Sequence, residues 1–258
     1  MCLKGFLIII NFLFVSLCFS QTDDYVISGK KSNNNSILKK DIYDVKNPDY
    51  TSYFLSPTAF TITKRDFRLA SNDILFFKGT YGLTSKTNLS LTTSLFGSIL
   101  GSLKHSIDLQ DEKTLSFSGT VGNFTASLKD TNVIFTGVDA VFTIGNHQNN
   151  VSLGTGFYFI KSNIDIVYDK REFFVHAITF GIQNQISRKV YVMVDGYYFT
   201  NYNMFTAAAG LKFVIKTRYS LNAGIMPIVR DDIRTSRYDI KSVIIPVVSF
   251  RMLIERKD

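Results

Sequence analysis

Residues 151–159 read VSLGTGFYF. The odd positions hold Val151, Leu153, Thr155, Phe157 and Phe159, and the even ones hold Ser152, Gly154, Gly156 and Tyr158. In an extended chain successive side chains point to opposite faces. One face of this segment is therefore oily and the other small and largely polar. The same two-residue period recurs along the chain. Leu89, Leu91, Thr93 and Leu95 alternate with Asn88, Ser90, Thr92 and Ser94. Leu115, Phe117, Gly119 and Val121 alternate with Thr114, Ser116, Ser118 and Thr120. Phe205, Ala207, Ala209, Leu211, Phe213 and Ile215 alternate with Thr206, Ala208, Gly210, Lys212 and Val214.

A soluble antiparallel sheet has the same period, with its oily face turned inward. Here the polar face is made of Ser, Thr, Gly and Asn, with one or two ionisable groups per strand at most. A water-facing sheet carries more Lys and Glu, whereas the packed lumen of a barrel prefers small side chains. Segments of roughly ten residues separated by turn residues match the span of a membrane-crossing strand, ~9–11 residues. The reading is all-β: a single antiparallel transmembrane β-barrel of up-and-down topology.

The N-terminus fits that destination. Residues 1–20 read MCLKGFLIIINFLFVSLCFS, with Lys4 ahead of an apolar run and small residues, Cys18 and Ser20, before Gln21. This is the layout of a cleaved secretory signal, and the run is shorter than the ~20 residues of a spanning helix. Leu17 is too bulky for a lipoprotein site at Cys18. Both cysteines, Cys2 and Cys18, fall within the signal, so the mature chain has neither a disulfide nor a thiolate metal site. Loss of Lys4 takes the net charge from +8 to +7. Nucleic acid is absent from the periplasm, so the basic balance points to anionic lipid and lipopolysaccharide, or to a simply solvated surface. Residues 21–53 read as a flexible polar periplasmic segment, and 54–258 as the barrel.

Strands are expected at 67–82, 87–97, 103–110, 114–125, 133–145, 151–163, 172–186, 190–202, 204–216, 219–230 and 241–254. Tight connections at 83–86, 111–113, 146–150, 187–189 and 217–218 read as periplasmic turns, and 231–240 as the longest external loop. Single-chain bacterial barrels have an even number of strands. Topology therefore assigns one more strand to 54–63, with Lys64-Arg65-Asp66 as an external turn. The expectation is twelve strands, with both termini periplasmic. Ten is the alternative, because Pro57 interrupts 54–63 and 103–110 is short.

Ser56-Pro57-Thr58-Ala59-Phe60, the following hairpin into 74–82, and Tyr81-Gly82-Leu83-Thr84 resemble uncharacterised outer-membrane β-barrel proteins of Gram-negative bacteria, where a similar motif opens the barrel. The resemblance spans most of the mature chain and implies location and fold. It carries over no catalytic residue. The chain departs from the barrel pattern at its end, where the charged tail Glu255-Arg256-Lys257-Asp258 follows the last strand in place of a terminal aromatic residue.

Strand parity puts Lys78, Asp139, Asp195, Lys212 and Arg251 on the lumen face. Charges in a narrow barrel are costly unless paired. Two roles fit them: a salt-bridge network that fills the lumen, or a polar constriction that tunes solute passage. An enzyme would need more. His147 lies in a turn, His176 has lipid-facing parity near an interface, and His105 sits in a short strand near Ser102 and Ser106. No Ser/His/Asn set can be read from their spacing. Gly154-Thr155-Gly156 reads as a close-packing site within a strand, and Asp231-Asp232 as a solvated loop. The triplets at Asn123 and Asn150 match a glycosylation signal only in a eukaryotic pathway. No catalytic residue, metal or cofactor is assigned.

Three functions remain open from the sequence. The first is a porin-like or uptake channel for small molecules. The second is a non-conducting structural or interaction barrel, such as a subunit of a larger outer-membrane complex. The third, least supported, is a lipid-modifying enzyme. Expected partners are outer-membrane lipids, lipopolysaccharide, the barrel-assembly machinery and other outer-membrane proteins, with no nucleic acid.

Overall fold

The computed structural model describes residues 47–73, 75–95, 97–126, 131–163, 172–230 and 242–255. The signal, most of the polar lead and the loop holding Asp231-Asp232 lie outside them. The wall is a closed barrel of twelve antiparallel strands, each paired with its sequence neighbours. They are β1 (Phe67–Asn72), β2 (Phe76–Thr84), β3 (Thr87–Ser94), β4 (Ile99–Asp108), β5 (Lys113–Ala126), β6 (Thr131–Gly145), β7 (Asn150–Ser162), β8 (Glu172–Ser187), β9 (Val190–Phe199), β10 (Met204–Ile215), β11 (Tyr219–Arg230) and β12 (Ser242–Ile254). Closure comes from β1 against β12, with Phe67 opposite Ile254 and Asn72 opposite Ser249. A closed ladder leaves no unpaired edge, which a strand in hydrocarbon requires.

The strands form as their alternation dictates. On β7, Val151, Leu153 and Phe157 face outward, each more than half exposed, while Asn150, Ser152 and Tyr158 are buried inside. On β3, Leu89 and Leu91 face out and Asn88, Ser90 and Thr92 face in. A soluble protein would not leave Leu95, Val121, Val138, Phe174 and Ile244 uncovered together. In a bilayer the same belt is stabilised by roughly 25 cal/mol for each Å² withdrawn from water. At the β4–β5 turn, Asp111 and Glu112 both take positive φ, 58° and 56°, and the Leu109 amide donates to the Lys113 carbonyl (2.7 Å). Left-handed backbone at two successive residues allows this tight reversal.

The β1 start and the β12 end share one rim, here called the terminal rim. The β2–β3, β4–β5, β6–β7, β8–β9 and β10–β11 turns lie there too. The remaining connections lie at the far rim.

The barrel has twelve strands, but not the set expected. Residues 54–63 are no strand of the wall, and 67–82 is two strands, the first ending at Asn72 and the second beginning at Phe76. Asp73, between them, takes φ 49°; its amide donates to the Val248 carbonyl (2.8 Å), and its carboxylate accepts from the Val248 amide (2.8 Å). Within 54–63, adjacent residues Phe54 and Leu55 are both buried, as are Phe60 and Thr61. A wall strand needs one lipid face and one lumen face, and this segment has neither. β4 also begins earlier than expected, at Ile99.

Instead, the chain before β1 enters the lumen. The Thr58 amide donates to the Thr51 carbonyl (2.8 Å) and the Tyr53 amide to the Ser56 carbonyl (3.1 Å), with Ser52 bridging Pro57. These bonds make a hairpin with its apex at 53–56. Asn47 donates to the His147 carbonyl (3.2 Å) and Thr61 to the Ser85 carbonyl (3.2 Å), both at the terminal rim. The hairpin thus enters and leaves by the same rim. The expected boundary between polar lead and barrel, at residues 53 and 54, falls at its apex.

Candidate functional site: the occupied lumen

The lumen is split into two halves by residue type. Toward the terminal rim the wall presents Asn88, Ser90, Ser106, Ser116, Thr143, Ser152, Lys104, Lys212 and Arg251, all buried. Small and polar side chains leave room in the middle, and the hairpin fills it. Toward the far rim the wall presents Leu100, Phe124, Phe135, Tyr158, Phe199 and Met226, which belong to one apolar cluster with Phe54 and Leu55 of the apex.

Asp49 of the entering arm is fully buried, and both its oxygens are taken. Oδ1 pairs with Arg68 (3.1 Å) and with Arg251. Oδ2 pairs with Lys212 (3.3 Å) and accepts from Asn222 Nδ2 (3.2 Å). Burial alone pushes this carboxyl up, but the surrounding Arg251, Lys212 and Arg68 outweigh it and hold Asp49 well below the usual carboxylate range. Lys212 also donates to Gln183 Oε1 (2.7 Å), and Arg251 Nη2 to the Tyr53 carbonyl (3.0 Å).

Asp195 holds the apex. The amides of Phe54 (3.2 Å), Leu55 (2.7 Å) and Ser56 converge on its carboxylate, and Tyr197 donates to the Leu55 carbonyl (2.9 Å). The returning arm meets Lys104, which donates to the carbonyls of Thr58 (2.9 Å) and Phe60. Ser106 donates to the Ala59 carbonyl (2.6 Å), and the Ala59 amide donates to Thr143 (2.7 Å). An extended arm pairs only part of its own backbone, so a buried one needs such partners from the wall.

Glycines shape the seat. A Cβ at Gly181 would overlap the Tyr53 ring, and Cβ atoms at Gly210 and Gly224 would crowd Phe54. Tyr53 donates to Asn150 (2.5 Å) and lies 2.8 Å from the Ser152 hydroxyl; burial raises its pKa. At the terminal rim, His147 stacks on Tyr50 with ring centroids 3.8 Å apart, and burial lowers its pKa to about 3.

The five charges singled out from sequence divide among these tasks. Lys212 and Arg251 meet at Asp49, and Asp195 binds the apex. Asp139 accepts from Ser118 (2.6 Å) across β5 and β6. Lys78 is buried on the lumen face of β2. Sequence reasoning missed Arg68, Lys104 and Asp49. Lys104 shares the parity of Ser102 and Ser106, so the signal was there; Asp49 lies in the polar lead, where nothing marks it for burial. The histidines are scattered. His105 bonds Thr87 (3.0 Å), and His176 bonds Thr155 (2.8 Å) and Thr200 (2.9 Å) on the outer face. Gly154 and Gly156 lie against Thr179 and the Tyr158 ring, a close-packing role.

No family model matches the chain, and no curated protein matches it. Solved structures do resemble it. A KdgM porin in complex with disordered oligogalacturonate aligns with TM-score 0.45 at 9% identity, over 72% of this chain and 96% of that one. A NanC porin aligns with TM-score 0.40 at 10% identity, over 73% and 97%. The Acinetobacter baumannii outer membrane protein Omp33 aligns with TM-score 0.37 at 10% identity, over 74% and 96%. With its closed antiparallel wall and apolar outer belt, the chain is a twelve-stranded β-barrel of transmembrane type whose hairpin of residues 47–63 occupies the lumen.

Proposed function

We propose that this barrel is an outer-membrane uptake channel for small molecules, closed at rest by the hairpin of residues 47–63. The observation that carries the reading is the manner of filling. The plug enters and leaves by one rim, contributes no strand to the wall, and is held by side chain to backbone bonds at Asp195, Lys104 and Ser106. It can withdraw without breaking a single ladder bond. The far half closes on the hairpin as well, because its apolar side chains pack on Phe54 and Leu55 of the apex, so withdrawal of the hairpin takes packing out of both halves. The signal at 1–20 supports export, and the tight turns and shared rim of the chain ends support placing the terminal rim in the periplasm. The apolar belt supports contact with membrane lipid, and the basic balance supports lipopolysaccharide as a neighbour. Delivery to the membrane would use the barrel-assembly machinery.

The test is conductance in planar bilayers. Wild-type protein is expected to be mostly closed, with rare openings. Asp195→Ala removes the acceptor of the three apex amides and is expected to raise the open fraction at least tenfold. Silence in both proteins, with the barrel intact by its gel shift on boiling, favours the second reading, a non-conducting structural barrel.

A further inference from the structure

Three adjacent strands repeat one order of residue types along the lumen. Moving from the terminal rim inward, β10 presents Lys212, Gly210 and Ala208; β11 presents Asn222, Gly224 and Met226; β12 presents Arg251, Ser249 and Val247. Each row begins with a cationic or amide donor, passes a small residue, and ends apolar. Gly210 pairs directly with Gly224, and Lys212 with Asn222. From first to last position is four residues, ~13 Å along a strand. Arg68 adds a second guanidinium at the donor end.

The hairpin fills this slot with matching chemistry. The Asp49 carboxylate occupies the donor end, held by two guanidiniums, an ammonium and an amide. The Phe54 ring lies over the glycine waist, and Phe54 and Leu55 join the apolar cluster that includes Ala208, Met226 and Val247. Without Asp49, that end would gather Arg68, Lys212 and Arg251 around no carboxylate of the hairpin. Grouped cations in a low-dielectric lumen demand a counter-anion. Planar guanidiniums favour a carboxylate, which accepts from two donors at once.

We infer that the hairpin is an internal stand-in for cargo, and that the slot on β10–β12 binds an organic acid with an apolar body of medium-chain length. The carboxylate takes the place of Asp49 among Arg68, Lys212, Arg251 and Asn222. The apolar body takes the place of Phe54 over Gly210 and Gly224 and reaches toward Met226. This rests on the uptake reading, since cargo gains the slot only when the hairpin leaves. Competition between cargo and Asp49 then couples binding to opening.

The chain contains no Trp, so Phe54→Trp gives a fluorescence reporter without background. In phosphatidylcholine vesicles, octanoate is expected to shift its emission as the ring leaves the waist, while octanol and acetate, each lacking one half of the ligand, do not. Asp49→Asn removes the competitor and is expected to strengthen octanoate binding at least tenfold. Adding Arg251→Gln to Asp49→Asn is expected to abolish the gain. Equal responses to octanoate and octanol would overturn the carboxylate assignment. Unchanged octanoate affinity in Asp49→Asn, with the barrel intact on gels, would overturn the stand-in role. Should Asp49→Asn conduct small ions without responding to octanoate, the slot fails and the channel stands; should it bind octanoate without conducting, the slot stands and the channel reading fails.

Discussion

The two halves of the lumen are closed in different ways. At the far half, long apolar side chains such as Phe124, Phe135, Tyr158 and Phe199 reach inward and pack on one another. At the terminal half, Ser116, Thr143, Ser152 and Asn222 are too short to reach across the lumen, and a hairpin fills the gap. The filler suits its wall. A backbone arm brings an amide and a carbonyl with nearly every residue, and the wall answers with Lys104, Ser106, Thr143 and Asp195. Side chains of a closed wall cannot leave it, but a hairpin tied by polar contacts can. One half packs its own side chains around the tip of the hairpin, and the other is filled by the hairpin's arms.

The comparison breaks most sharply at Met226. It is fully buried in the far half. Met226→Asp would place a carboxyl among apolar side chains, which costs several kcal/mol whether it stays charged or takes up a proton. The whole barrel should suffer: the temperature at which it loses its compact gel mobility should fall. An unchanged temperature would mean that the far half is wet and mobile rather than a core.

A smaller change tests the stopper alone. Gly181→Ala puts a methyl where the Tyr53 ring lies. Overpacking of this kind costs about 1–3 kcal/mol, here charged against docking of the hairpin and not against the ladder. The sequence has cysteines only at 2 and 18, so in protein expressed from Gln21 onward a Leu55→Cys reporter is the sole thiol. It should react with a maleimide at least tenfold faster in the Gly181→Ala background, at an unchanged melting temperature. Equal loss of both would show that hairpin and wall form one cooperative unit.

Acid should act more weakly, through His147 and Asp49. The docked His147 holds its pKa near 3 because it is buried, whereas a released His titrates near 6.5. The released state therefore binds the extra proton between those values, and docking weakens as pH falls below 6.5, by about 1.4 kcal/mol per unit at most. Asp49 acts in the same sense at lower pH: its depressed pKa makes docking lose support as the released carboxyl protonates below about 4. The open fraction in bilayers should rise from pH 6.5 to 4.5, and His147→Phe should flatten that rise.

Residues 54–63 mark how far sequence reasoning reaches. The count of twelve depended on an even number, and the missing strand was sought there. It lay in 67–82, where Asp73 breaks one apparent strand into two. A run of alternating residues looks the same whether it crosses once or turns back early, because the period does not change at a tight turn. Asp49 had no signature of burial, since a lone carboxylate in a polar lead looks like any solvated charge. Lys104 did have one, in the parity it shares with Ser102 and Ser106.

The sequence by itself determined the wall. A two-residue period assigns each side chain to lipid or lumen, and a membrane without water forces every strand to find partners until the ring closes. That argument needs only neighbours along the chain. Only the tertiary structure decided what fills the ring. Asp49 meets Arg251, and Tyr53 meets Gly181, across long stretches of sequence, and such meetings depend on the width of the closed barrel and on the volume its short side chains leave free. No local pattern encodes that volume; it exists only once the last strand has paired with the first.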